Sequence, residues 1–164
     1  MPVFADLAAT LAGCPDHVAL TTLNSLPGML LDARWDREEM SLSVAPARII
    51  EAAEAVKQAG YNFLEDVTCV DFYPAEPRFQ VTYHILSHQL KQRVRLMALL
   101  PGTAPAVDTI TSVWPSANFY EREVFGRVVL YFEGRSPEEL QQFGEIRTPS
   151  IADLFVAKMQ GEGA

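Results

Sequence analysis

The chain has 164 residues, with 13 Lys and Arg against 21 Asp and Glu, giving a formal net charge of −8. That length suits one domain with at most an appendage, and 49% hydrophobic with 21% charged residues excludes overall disorder. An acidic chain lacks the excess cations that displace phosphate counterions, so general nucleic-acid binding is excluded too.

Two cysteines, Cys14 and Cys69, stand far apart and form no C-x-x-C pair, which fits a reducing compartment. Nothing approaches 18 consecutive apolar residues, so no membrane span is expected. The N-terminal stretch carries Asp6 and no basic residue before its apolar segment, which is wrong for a secretory signal. The expectation is a soluble, cytoplasmic protein.

Val3, Leu7, Ala8 and Leu11 recur at helical spacing, and Gly13 supplies a stop. The stretch from there to Pro27 is poorly patterned and reads as irregular. Met29–Trp35 reads as a strand, Asp36–Glu38 as a turn, and Met40, Leu42 and Val44 alternate with serines as a second strand. Pro46 suits a first helical position; Ile49, Ile50, Ala53 and Val56 form one stripe, and Gly60 ends it.

Three strands follow, at Val67–Phe72, Arg78–Leu86 and Gln92–Leu100, with prolines 74 and 77 turning the chain between the first two. Val107–Val113 and Pro115–Phe125 read as short helical segments. Arg127–Phe132 reads as a last strand, and Ser136-Pro137-Glu138-Glu139 as a capping box opening a helix to about Phe143. Ile151, Leu154, Phe155 and Met159 make a final amphipathic stripe. The order α-β-β-α-β-β-β predicts an α+β two-layer sandwich: one mostly antiparallel sheet with helices on one face. Residues 1–132 would form that domain and 133–164 a helical extension.

Chemistry-bearing motifs are sparse. His84 and His88 lie on and just past a strand, where four residues span roughly 13 Å, too far for two ligands of one zinc. His84 reads as a surface residue beside Arg93 and Arg95, and His17 has no identifiable partner. Cys69 sits mid-strand and reads as a buried, inert thiol. There is no G-x-S-x-G and no phosphate-cradling glycine loop, and two cysteines cannot ligate a four-cysteine iron–sulfur cluster. No catalytic, cofactor-binding or metal-binding residue is therefore assigned.

One constellation stands apart: Trp114-Pro115-Ser116-Ala117-Asn118-Phe119-Tyr120-Glu121-Arg122-Glu123-Val124-Phe125. It sets aromatics beside Glu-Arg-Glu on a short helix. One reading is a solvated charged face over a core aromatic cluster. The other is an interface, since arginine forks onto carboxylates and joins aromatics at buried contact centres.

This stretch resembles the signature of the 30-kilodalton-subunit family of NADH:quinone oxidoreductase, respiratory complex I. That signature runs W-x-x-A-x-W/F-x-E-R-E, matched here by Trp114, Ala117, Phe119, Glu121, Arg122 and Glu123. Also similar are Gly60–Leu64, Asp66–Asp71, Glu76–Phe79, Val81–Ser87, Arg93–Leu96 and Ser112–Pro115, so the likeness covers about residues 28–125. Beyond Phe125 the chain departs from the family: Gly126 replaces its aspartate, Val128-Val129 its Phe-Gly, and Arg135 its histidine.

The resemblance implies a cofactor-free structural subunit of the peripheral, cytoplasmic arm of a proton-pumping NADH:quinone oxidoreductase. NADH, FMN, iron–sulfur clusters and quinone would belong to its partners, chiefly the quinone-site and terminal iron–sulfur-cluster subunits. Trp114, Phe119, Glu121, Arg122 and Glu123 would face that junction. The alternatives are the equivalent subunit of a membrane-bound hydrogenase or formate hydrogenlyase, and a stand-alone small-molecule enzyme using His84, Arg93 and Arg95. The residues disfavour the second, because no carboxylate or nucleophile is expected to converge there.

Overall fold

A two-residue turn at Arg37-Glu38 joins strand β1 (Leu30–Asp36) to strand β2 (Glu39–Val44) in the computed structural model, which describes residues 3–124. These residues belong to the first of two units, Met1–Phe125. The expected strand Arg127–Phe132, the helix opening at Ser136, the Ile151–Met159 stripe and the 132/133 boundary lie outside the described residues.

After β2 a single 3-10 turn, Pro46–Arg48, leads into helix Ile49–Gln58, which is third in chain order and is named α3. Proline costs nothing at such a start, because its missing N–H would be unpaired anyway. Gly60 follows at φ 102°, where a side chain would be strained. Then come β3 (Phe63–Asp71), β4 (Phe79–Ser87) and β5 (Gln92–Leu100).

The sheet order is β1-β2-β5-β4-β3, antiparallel except where β2 runs parallel to β5. Register explains the core. Met40 and Leu42 pair with Val94 and Leu96, which pair in turn with Ile85 and Tyr83. Tyr83 and Ile85 then pair with Val67 and Leu64. All are buried, and they form one cluster with Ile49, Ala52, Ala53 and Val56 of α3. Each large apolar side chain so covered contributes about 1.5–3 kcal/mol. The opposite face carries Ser41, Arg95, His84 and Asp66 in a row across four strands, the period-two outcome of the same pairing.

Two helices precede the sheet. Helix α1 (Leu7–Gly13) starts at Asp6, whose Oδ1 accepts from the Ala9 N–H at 2.8 Å. Buried Thr10 donates to the Ala33 carbonyl at 3.0 Å, tying α1 to β1. Helix α2 (Val18–Asn24) occupies the stretch expected to be irregular and packs beside α3, with Ala19, Leu20 and Leu23 fully buried. The observed order is thus α-α-β-β-α-β-β-β-α, an α+β fold with a mixed, mostly antiparallel sheet.

A second correction concerns Val107–Val113, where no helix forms. The chain runs irregularly to Ile110 and then turns, with the Val113 and Trp114 N–H groups both donating to the Ile110 carbonyl. Val107, Ile110 and Val113 are spaced like a helical face but are apolar because this loop crosses the core. Helix α4 (Ala117–Val124) follows and lies against β3.

Candidate functional site

The Trp114–Val124 segment begins with an anchor. Trp114 is only 4% exposed, and the Lys57 ammonium stands 5.9 Å from its ring centroid. The same ammonium donates to the Val113 carbonyl at 2.5 Å. Lys57, in the last turn of α3, thereby ties α3 to the turn before α4 across 56 residues. Such a separation leaves no signal in the sequence.

Within α4 the side chains divide by face. Ala117 and Glu121 are buried, and Tyr120 and Val124 pack partly against the core. Asn118, Phe119, Arg122 and Glu123 are exposed, one stripe at helical spacing. Phe119 is 74% exposed, an aromatic where a purely solvated face would carry a polar residue.

Glu121 points inward and has a structural role. Its carboxylate accepts from the Ile110 N–H at 3.0 Å, from the Thr109 hydroxyl at 2.5 Å and from the Thr111 hydroxyl at 3.5 Å. It thereby supplies the irregular loop with the acceptor that a helix would have given. Tyr83, fully buried beneath, has its phenol pushed up first by burial and then by the Glu121 charge. Of the five expected interface residues, Trp114 and Glu121 hold the segment in place. Phe119, Arg122 and Glu123 face outward, and Arg122 makes no ion pair among the described residues.

His84 and His88 do not come together. His84 is half-buried mid-strand, its Nε2 3.4 Å from the Thr68 hydroxyl, while His88 sits exposed in the β4–β5 turn, 5.8 Å from the Phe63 ring. Carboxylates do converge on Arg93 and Arg95, contrary to expectation: Glu65 lies 3.2 Å from Arg93 and Glu39 2.6 Å from Arg95. They act as ion-pair partners, and the space enclosed with His84 is about 10 Å³, room for one water at most.

Cys69 is a further correction, being exposed. It lies near the end of β3, the outermost strand of the sheet. Its thiol is held above the usual value, first by partial burial and then by the Asp71 charge. It is therefore a weak nucleophile for a different reason than the one expected. Among the described residues no group of three His, Cys, Asp or Glu could hold a metal ion.

The sequence model of the respiratory-chain NADH dehydrogenase 30 Kd subunit matches residues 42–141, more than half of the chain, from within β2 to beyond α4 and past Phe125, where the signature is expected to end. The chain belongs to that family. An NADH-quinone oxidoreductase subunit of Roseiflexus castenholzii is 36% identical over 113 residues, covering 67% of this chain and 65% of that protein. Its counterpart in Geobacter sulfurreducens is 38% identical over 105 residues, 63% of this chain and 65% of the relative. The match therefore spans slightly less than two thirds of these relatives' length.

A solved trypsin-resistant fragment (1–134) of Nqo5 superposes with a TM-score of 0.51 at 30% identity, over 58% of this chain and 80% of the fragment. The membrane-bound sulfane sulfur reductase, an archaeal respiratory membrane complex, contributes a chain with a TM-score of 0.54. At 22% identity, over 71% and 68% of the two chains, that likeness concerns the fold alone. The outward stripe of α4 falls inside the region matched by the 30 Kd family.

Proposed function

We propose that this chain is a structural subunit of the peripheral arm of a proton-pumping NADH:quinone oxidoreductase, seated on the cytoplasmic side of the membrane through its partners. It carries no redox group. NADH, FMN, iron–sulfur clusters and quinone belong to neighbouring subunits, and this one braces those that hold the terminal cluster and the quinone pocket. Family membership supports the assignment to the complex. No helix among the described residues is long and apolar enough to cross a membrane, in keeping with attachment through partners.

The observation that carries the docking role is the outward stripe of α4. Phe119 and Arg122 are residue types that dominate interface energetics, and here they are exposed on a helix whose other face is pinned by Trp114 and Glu121. A helix held on its inner face that presents an aromatic, and a guanidinium with no ion pair among the described residues, loses little entropy on docking.

The test uses native electrophoresis and quinone-reductase activity of membranes from cells carrying the wild-type chain, Phe119→Ala or Arg122→Ala. The wild type should migrate in a large complex. Each variant should deplete that complex at least about tenfold while the chain still accumulates folded. A wild-type chain found wholly free and monomeric would overturn the reading. Normal assembly in both variants would move the docking surface elsewhere.

A further inference from the structure

The β1–β2 and β4–β5 turns stand at the same end of the sheet and bound a cleft of about 640 Å³. Trp35 and the His17 ring border it, and Arg37, Lys91 and Arg93 are the cations along it. None of this falls in the α4 stripe.

Three observations mark the cleft. His17 is only 7% exposed, wedged edge-on to Trp35 and stacked near Tyr61, and its Nδ1 has no hydrogen-bond partner among the described residues. A buried polar atom left unsatisfied is costly, so it marks a place whose partners are incomplete. Next, Arg37, Glu38 and Lys91 all have positive φ, at 53°, 64° and 53°. Such turns favour glycine or asparagine, so keeping long charged side chains there runs against the backbone's preference. Third, the charges are unevenly spent. Arg93 is engaged by Glu65, and Glu39 by Arg95, whereas Arg37 and Lys91 make no ion pair among the described residues. One acid, Glu38, stands against these two cations in a chain whose net charge is −8.

We propose that this cleft docks an acidic segment of another subunit, a carboxylate meeting Lys91 and Arg37 while its stem lies on Trp35. The proposal rests on the chain being a subunit of a larger assembly. Arg37 and Lys91 sit on separate turns beside Trp35, an arrangement that suits an extended chain. A small inorganic anion would need donors converging on one point.

The test is carbodiimide cross-linking of the intact, purified complex, which joins an amine to a carboxylate in contact with it, losing water. Mass spectrometry should find Lys91 bonded to an Asp or Glu of a different chain. Lys91→Arg keeps the charge but offers no amine, so that product should vanish while the complex persists. The Arg37→Glu, Lys91→Glu double variant should lower retention of the chain in the complex at least about tenfold. Both sites are exposed, and circular dichroism checks folding. Lys91 linked only within its own chain, or unlinked in an intact complex, would overturn the cleft proposal alone. So would normal retention of the double variant. A wild-type chain absent from any complex would remove the subunit reading, and the cleft's partner with it.

Discussion

Glu121 of α4 accepts the backbone N–H of Ile110 at 3.0 Å, so one buried carboxylate closes the loop that precedes its own helix. Ile110 is fully buried, and its amide has no solvent to fall back on. Glu121→Ala should therefore cost about 1–3 kcal/mol in urea unfolding followed by tryptophan fluorescence. Glu121→Gln retains a carbonyl acceptor and should cost less than the alanine. An alanine variant within about 0.5 kcal/mol of wild type would show that the loop finds another acceptor.

Strands are legible in the sequence wherever alternation is strict, as in Phe79, Val81, Tyr83 and Ile85, because one face of β4 meets the core. Alternation fails at Glu65-Asp66, where the β3 register shifts, and this hides the start of β3 at Phe63. Helix α2 is obscured by its brevity and by His17 at its start, which gives no side-chain cap. Its signal is Ala19, Leu20 and Leu23 closing before Ser25, Pro27 and Gly28. The α4 signature is visible as residues, but its division into anchors and an outward stripe depends on Lys57 and the Thr109–Thr111 loop. Neither belongs to the periodic pattern of α4.

The Arg37-Glu38 turn makes a second prediction. Both residues have positive φ, which costs a non-glycine residue about 1–2 kcal/mol. Glycine relieves that strain and loses part of the gain to unfolded-state entropy. Glu38→Gly should therefore stabilise the isolated chain by about 0.5–1 kcal/mol, seen as a raised urea midpoint with unchanged slope. A lowered midpoint would mean that the Glu38 side chain itself makes a stabilising contact.

Asp71 and Arg78 give a pH-dependent prediction. Arg78 donates Nε and a terminal nitrogen to the two Asp71 oxygens at 2.8 and 2.7 Å, and the Tyr73 N–H adds a bond of 2.9 Å. These bonds, those from Arg78 foremost, hold the carboxyl below its ordinary 3.8. A depressed folded value means the unfolded chain binds its proton first as pH falls. The contribution is thus present above 3.8 and lost as the pH drops through the folded value. Because Asp71 is 41% exposed, the contribution should stay below about 1 kcal/mol. Carboxyl NMR titration should show Asp71 returning toward 3.8 in Arg78→Ala, and the stability difference between wild type and Asp71→Asn should close in acid. An unmoved titration in Arg78→Ala would assign the effect elsewhere.

Two buried tyrosines make opposite predictions from the same chemistry. The Tyr61 hydroxyl donates to Gln92 Oε1 at 2.7 Å, whereas the Tyr83 hydroxyl is buried with no partner among the described residues. Removing a satisfied hydroxyl strands its acceptor, so Tyr61→Phe should cost about 0.5–1.5 kcal/mol. Removing an unsatisfied one relieves a desolvation penalty, so Tyr83→Phe should be neutral or stabilising. Alkali distinguishes them further from ordinary tyrosines. Burial pushes the Tyr61 phenol up to about 12, and Tyr83 is pushed up as well. With the folded value raised, the unfolded chain releases the proton first. The stability Tyr61 contributes is therefore complete below pH 10 and is lost as the pH rises toward 12. Ultraviolet difference titration should accordingly show fewer than five tyrosines ionising before the alkaline unfolding transition, with the remainder appearing as the chain unfolds. All five titrating together near pH 10 in folded protein would show that neither ring is buried as described.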